Sequence, residues 1–242
     1  MRLLSRVLFL LLISMAGALQ AQNTMSPYSV FGPGELQPKS FGRSAGMGYA
    51  GIGLPSDTRL NLMNPASLSG IDSLHFILDM GVNGKYSVFR ANGDTKSGFN
   101  ANLQYLSMGF RITRWWSNAL GISPFSSVGY DITTYNYVEG SDEKFITQFK
   151  GSGGITLAYW ANAFRLTKNL SLGVNTSYIF GPLTQEEYVS QSSLDASYII
   201  TRNDYFRSLY FEVGAQYAFR IKNLNMVAGA VYSPKQFLIS KY

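Results

Sequence analysis

Residues 169–181, NLSLGVNTSYIFG, and residues 207–220, RSLYFEVGAQYAFR, carry the pattern that decides the fold. In both stretches apolar residues alternate with small or polar ones. Because successive side chains of a β-strand point to opposite faces, each stretch predicts a strand with one apolar and one polar wall. Both stretches exceed the roughly five or six residues of a typical globular strand and cover the roughly 9–11 that a tilted transmembrane strand needs.

Similar alternation follows Ser73 to the end of the sequence. We expect about ten strands, near residues 74–82, 84–91, 99–112, 117–124, 126–138, 144–164, 169–181, 185–203, 206–220 and 224–234. Aromatic residues such as Trp115, Trp116 and Trp160 lie near segment ends, as in the interfacial girdles of membrane barrels. Because an open sheet edge leaves unpaired backbone groups in lipid, we predict an all-β, transmembrane antiparallel β-barrel.

The composition excludes several kinds of site. The chain has 242 residues and no cysteine, which excludes disulfides, thiolate metal sites and cysteine nucleophiles. Charged residues make up 14% of the chain, and 24 glycines, 16 tyrosines and 16 phenylalanines are present. A mean hydropathy of +0.00 argues against a bundle of membrane helices.

Residues 1–21 have the composition of a secretory signal. Arg2 and Arg6 precede the apolar run VLFLLLI, and small residues lead to a predicted cleavage after Ala21. The alternative, a membrane-anchoring helix, has too short an apolar run to span the roughly 30 Å of hydrocarbon. We therefore expect the protein to be exported to the cell outer membrane, where lipid surrounds it, and to have no nucleic-acid partner.

Residues 22–73 are rich in turns, since five of the eight prolines of the chain fall there together with many glycines. Within them, residues 42–71 read GRSAGMGYAGIGLPSDTRLNLMNPASLSGI. This segment resembles the start of the FadL-type outer-membrane transport family, in particular Bacteroidetes members. The matching positions include Gly42, Arg43, Asp57 and the tripeptide Asn64, Pro65 and Ala66.

The resemblance implies an architecture and an activity. Residues 22–73 would form an N-terminal plug inside a barrel built from residues 74–242. The family barrel has fourteen strands and conducts hydrophobic small molecules, such as long-chain fatty acids, by passive diffusion. Because only about ten strands fit here, the chain is either a truncated member, which we favour, or a ten-stranded relative.

The alternation changes phase once, between Tyr105 and Leu106. Apolar residues occupy odd positions from Phe99 to Tyr105 and even positions from Leu106 to Ile112. This predicts a β-bulge or kink, unless inward-facing apolar side chains are simply tolerated. In the FadL-type family a kinked third strand opens sideways, so Tyr105 and Leu106 are candidates for a lateral gate.

Residues for catalysis or metal binding are sparse, and we expect no enzyme activity, cofactor or metal. The single histidine, His75, has no recognisable acidic partners of the omptin protease kind and is interpreted as a polar interior residue. Asp142-Glu143 and Glu186-Glu187 are interpreted as loop charges. No spacing supports a metal site at Asp131, Asp195 or Glu212, and GMGYAGIG lacks the flanking elements of a phosphate loop.

Two functions are open at this point. The first is passive uptake of a hydrophobic compound. The alternative is a non-transporting outer-membrane barrel that serves as scaffold or receptor for secretion or surface partners. The two differ in whether the interior holds an apolar ligand or the exterior holds other proteins.

Overall fold

The computed structural model of the protein describes residues 26–39, 42–72, 76–91, 93–137, 144–191 and 196–241. The N-terminal part contains 3-10 helices at Pro27–Val30 and Pro65–Gly70, strand β1 at Glu35–Leu36, and the single-turn helix α1 at Arg43–Gly46. The remaining strands are β2 (Phe76–Ala91), β3 (Asp94–Arg111), β4 (Trp116–Tyr137), β5 (Lys144–Arg165), β6 (Leu170–Gln191), β7 (Ala196–Ile221), β8 (Leu224–Tyr232) and β9 (Ile239–Lys241). The predicted signal sequence and His75 lie outside the described residues.

Strands β2 to β8 form one antiparallel sheet in chain order, each hydrogen-bonded to the next. Strand β1 is added to β4, and β9 is added to β7. The described part of the chain contains no helix that is both long and apolar enough to cross a membrane. The all-β, antiparallel part of the predicted fold class is therefore confirmed.

The strands are fewer and longer than the ten predicted. Strand β2 joins the predicted strands 74–82 and 84–91, and β4 joins the predicted strands 117–124 and 126–138. Pro124 stays in register with Thr156 while Phe125 is absorbed as a bulge, and Pro182 pairs with Tyr205. Each proline has a ladder partner on one side only, Pro124 on β5 and Pro182 on β7, so its missing N–H is tolerated and it marks an irregularity rather than a strand end.

The two faces of the sheet have opposite character. On the outer face, large apolar side chains such as Leu78, Leu209 and Phe211 are 63%, 56% and 43% exposed. On the inner face, small or polar side chains such as Ala161 and Ser177 are buried together with apolar ones such as Ile155. The many exposed apolar side chains of the outer face are not expected of a water-soluble sheet, whose solvent-facing side is polar.

The N-terminal residues pack on the inner face. Residues 52–71 approach every strand from β3, where Leu60 lies against Gly109, to β8, where Gly53 lies against Val227. Because one short segment meets six consecutive strands, the sheet curls around it. Residues 42–72 are called the docked segment below, and residues 26–39 are called the arm.

Candidate functional site

The tripeptide Asn64, Pro65 and Ala66 is fully buried between the docked segment and the inner face. The Asn64 side-chain amide donates to Ile52 O and to Ala215 O of β7, both at 3.0 Å, with a longer contact to a carbonyl of β8. Its Oδ1 accepts from Ala66 N at 3.0 Å and so caps the 3-10 helix. One side chain therefore ties a loop, a helix start and the sheet together.

Glycines on three neighbouring strands make room for this tripeptide. Gly173 of β6 and Gly214 of β7 are directly opposite each other in the ladder. A Cβ at Gly173 would overlap the backbone at Pro65, and a Cβ at Gly214 would overlap the Asn64 side chain. Gly229 of β8 has the same relation to the backbone of residue 52. The docked segment thus reaches the sheet at backbone distance, where only glycine fits.

A second group of sequence-predicted residues meets at a cavity of about 300 Å³. Gly42, Arg43 and Asp57 line this cavity together with Arg59 and Asp79 of β2. Two basic and two acidic side chains thus share one opening. Such walls suit a polar or charged group rather than a hydrocarbon chain.

Asp57 organises the loop at this cavity. Thr58 N donates to Asp57 Oδ1 at 2.6 Å, and the Thr58 hydroxyl lies 3.3 Å from the same oxygen. The backbone hydrogen bond from Thr58 is the main cause that holds the Asp57 pKa below its usual value; partial burial opposes it and the Arg43 charge adds to it. The carboxylate is therefore ionised at neutral pH and acts as a local turn former.

Tyr105 and Leu106 lie next to an irregularity in the sheet. Strands β2 and β3 change register between Gly81 and Val82, and Gln104 is passed over in the pairing. Tyr105 is buried on the inner face, where its hydroxyl donates to Asp79 Oδ1 at 3.2 Å, whereas Leu106 is exposed on the outer face. The lateral gate at these two residues stays a prediction.

Glu212 lies on the inner face and is buried. Its Oε1 accepts from Lys39 Nζ at 2.7 Å and from the Tyr210 hydroxyl at 2.9 Å, and its Oε2 lies 3.2 Å from Asn175 Nδ2. The Lys39 ammonium also lies 4.0 Å from the centre of the Tyr210 ring. This carboxylate thus fastens the end of the arm to β7. The sequence alternation places Glu212 on the polar wall but does not reveal Lys39 as its partner.

The other acidic residues considered for chemistry are dispersed. Asp131 accepts from Gln148 Nε2 at 2.7 Å. The interpretation of Glu186 and Glu187 as loop charges is wrong, because both lie within strand β6 and pair with β7. Across the described residues, histidine, aspartate and glutamate do not form a group of three or more that could hold a metal ion. Asp195 and the pair Asp142-Glu143 lie outside those residues.

The proline-rich arm takes part in the sheet. Glu35 and Leu36 pair with β4 as strand β1. Pro33 and Pro38 flank these two residues and do not interrupt the pairing itself. A proline is tolerated beside a short edge strand because its missing N–H is not needed there.

A family model described as BamG matches residues 3–242 of the chain. No curated protein and no solved structure matches it. The family match overturns the resemblance to the FadL-type family, and the predicted passive transport of fatty acids or other hydrophobic compounds is wrong with it. The structure supplies the reason, since the tripeptide that carried the resemblance serves backbone packing. It indicates how an N-terminal segment docks on a sheet, not what passes through it.

Proposed function

We propose that this chain, which belongs to the BamG family, is a non-transporting outer-membrane protein that acts as a scaffold in outer-membrane biogenesis, in association with the BAM complex. The family match over residues 3–242 is the observation that carries this proposal. It favours the scaffold function over uptake of a hydrophobic ligand. The partners are then proteins of that complex.

The outer face supports a position in the membrane. Residues 156–164 of β5, 170–180 of β6 and 209–219 of β7 contain one charged residue, Glu212, which lies on the inner face. Trp115, Trp116 and Phe164 stack at the nearby turns, with ring centres 6.1 to 6.3 Å apart. An uncharged apolar band bordered by aromatic rings is typical of the lipid-facing side of a membrane barrel.

We place the sheet in the wall of a transmembrane barrel, with residues 1–21 directing export and residues 22–73 acting as the plug. Strands β4 to β7 have 22 to 26 residues, which corresponds to about 70–85 Å of extended chain. Crossing the hydrocarbon takes about 9–11 residues per strand. About half of each long strand therefore projects into water and offers surface to protein partners.

The interior favours a scaffold. The docked segment is anchored by a buried asparagine and packs against glycines of the sheet, which supports a fixed plug rather than an open conduit. A cavity of about 430 Å³ beside the arm is lined by five side-chain amides, from Gln37, Asn83, Asn100, Asn102 and Gln104, together with apolar residues such as Leu103, Pro124 and Ile155.

The test is isolation of the full-length, affinity-tagged chain from outer membranes after chemical crosslinking, with the partners identified by mass spectrometry. We expect subunits of the BAM complex, and a lower yield of folded outer-membrane proteins when the chain is depleted. A chain that purifies alone, and whose depletion leaves outer-membrane protein folding unchanged, would contradict the proposal. Loss of fatty-acid uptake as the sole effect of depletion would contradict it as well.

A further inference from the structure

The sheet contains a gap between β3 and β4 away from the turn that joins them. These strands pair only where Leu106–Arg111 face Ser117–Ile122, although β3 begins at Asp94 and β4 continues to Tyr137. On their other sides, β3 is paired with β2 and β4 with β5 throughout. Strands β3 and β4, which border the gap, are thus each held on one side. Beyond Ser123, β4 does not pair with β3.

The arm occupies the β4 side of this gap. Ser26 N donates to Gly129 O at 2.7 Å, and Gln37 N donates to Phe125 O at 2.9 Å. The Ser29 hydroxyl accepts from Gly129 N at 3.1 Å. Between these contacts, strand β1 pairs antiparallel with β4. The arm is therefore a partial substitute for the strand that β3 does not provide.

Two features fit the arm to its place. Gly34 has φ +91°, and a Cβ there would lie 2.5 Å from Ser127 O and 2.5 Å from Val128 Cγ2. Lys85 of β2 forms an ion pair with Glu35 of the arm at 2.6 Å. The β4 edge thus accepts a backbone that has a glycine where it approaches Ser127 and an acidic residue that faces Lys85.

The gap lies in the part of the sheet that projects from the apolar band. Asp131 and Thr133 of β4 are exposed there, while Val128 is buried on the inner face. A polar outer surface is suited to water. The edge also offers backbone groups such as Gly129 O and Phe125 O, which an extended polypeptide can pair with and lipid cannot.

We propose that the β4 edge at Phe125–Gly129 is an exchangeable strand-docking site. The arm occupies it in this structure, and an extended segment of a partner protein takes its place antiparallel to β4. That segment carries glycine at the position of Gly34 and an acidic residue facing Lys85. The inference rests on the proposed scaffold function and names the kind of segment that the scaffold holds.

The physical basis is strand addition to an exposed edge, in which backbone hydrogen bonds supply affinity and neighbouring side chains supply specificity. The tethered arm competes at an effective concentration of the order of millimolar. An added segment therefore binds weakly to the unaltered chain, and binding becomes strong once the arm is loosened. Loosening the arm is the variable that the experiment controls.

The test uses the full chain in detergent and a fluorescent synthetic peptide with the sequence of residues 26–39. Gly34→Ala loosens the arm, and Gly32→Ala is its matched control because Gly32 also has a positive φ, +59°, but a Cβ there meets nothing within 4 Å. A Leu36→Cys, Ser126→Cys pair locks the arm when oxidised, since these residues are ladder partners in a chain without other cysteines. Glu35→Lys in the arm opens the ion pair without a backbone change, keeps Lys85 for the peptide, and replaces Gly34→Ala if that variant does not fold.

We expect the Gly34→Ala chain to bind the peptide at least tenfold more tightly than the locked chain, with Gly32→Ala close to the unaltered protein. A peptide carrying lysine in place of Glu35 should bind several-fold more weakly. Equal binding by the loosened and locked chains would overturn the proposal. A dimer of the loosened chain that the lock abolishes would also overturn it, by assigning the site to a second copy.

The peptide measurement is independent of the proposed function, because it uses only the purified chain. If the unaltered chain does not co-purify with the BAM complex, the proposed function fails while tight binding of the peptide to the loosened chain still supports a strand-docking site. If the loosened chain does not bind the peptide more tightly than the locked one, strand docking fails while co-purification still supports the proposed function.

Discussion

Replacement of Asn64 by alanine tests how the docked segment is held on the sheet. The side chain is fully buried, and its removal takes away the bonds it makes with Ala66 N and Ala215 O, while Ile52 O keeps the bond it accepts from Gln216 Nε2. Loss of the cap costs about 1 kcal/mol, and each buried group left unsatisfied costs about 1–3 kcal/mol. We expect a loss of about 3 kcal/mol in the free energy of unfolding.

The assay is urea unfolding in detergent, followed by tryptophan fluorescence. With a slope of about 2 kcal/mol per molar urea, that loss lowers the midpoint by about 1.5 M. Asn64→Asp should be at least as harmful, because it directs a carboxylate at the Ile52 and Ala215 carbonyls. Asn225→Ala, at an exposed position of β8, is the control and should shift the midpoint by no more than about 0.25 M. An Asn64→Ala midpoint within that range would refute the reasoning.

Three further predictions concern the packing, the outer face and the acid response. Gly214→Ala places a methyl group on Asn64 Oδ1 and should lower the urea midpoint about as much as Asn64→Ala. Its control, Gly46→Ala, adds a methyl group that meets nothing within 4 Å and should leave the midpoint unchanged. Equal midpoints for the two glycine variants would show that the close approach of Asn64 to Gly214 is unimportant. Leu172→Arg on the outer face should destabilise the protein in lipid vesicles by about 2–4 kcal/mol, measured by reversible unfolding, and an unchanged stability there would contradict a lipid-facing position. Asp57 has a lowered pKa in the folded protein, so its stabilisation is present at neutral pH and is lost as pH falls through that folded pKa. Asp57→Asn should therefore make the urea midpoint fall less steeply with pH below about pH 4. An unchanged dependence of the midpoint on pH would argue against this role of Asp57.

The alternation of the sequence predicts the long strands and their two faces. Leu172 and Gly173 illustrate this, since a period of two is a property of the extended backbone itself and needs no knowledge of neighbours. The strand ends were predicted less well. Predicted strands end at Pro124 and just before Pro182, but pairing of Pro124 with β5 and of Pro182 with β7 retains both within longer strands.

One part of the candidate site could likewise be predicted from the sequence, and another part could not. The tripeptide that begins at Asn64 was recognised from its sequence as a turn ahead of the first long strand, which is a local property. Its contacts with Gly173, Gly214 and Ala215 join residues about 110 to 150 positions apart, and no local pattern specifies such pairs. The pairing of Lys39 with Glu212 was missed for the same reason.

The order of apolar and polar residues along the chain was enough to determine an all-β protein with one apolar and one polar wall, because each strand's faces follow from its own backbone geometry. Tertiary structure alone decided which wall is covered by the N-terminal residues, where β3 and β4 separate, and why Gly34 must be a glycine. These features depend on how closely distant backbones approach each other. That distance is set by the register and curl of the whole sheet rather than by any one segment.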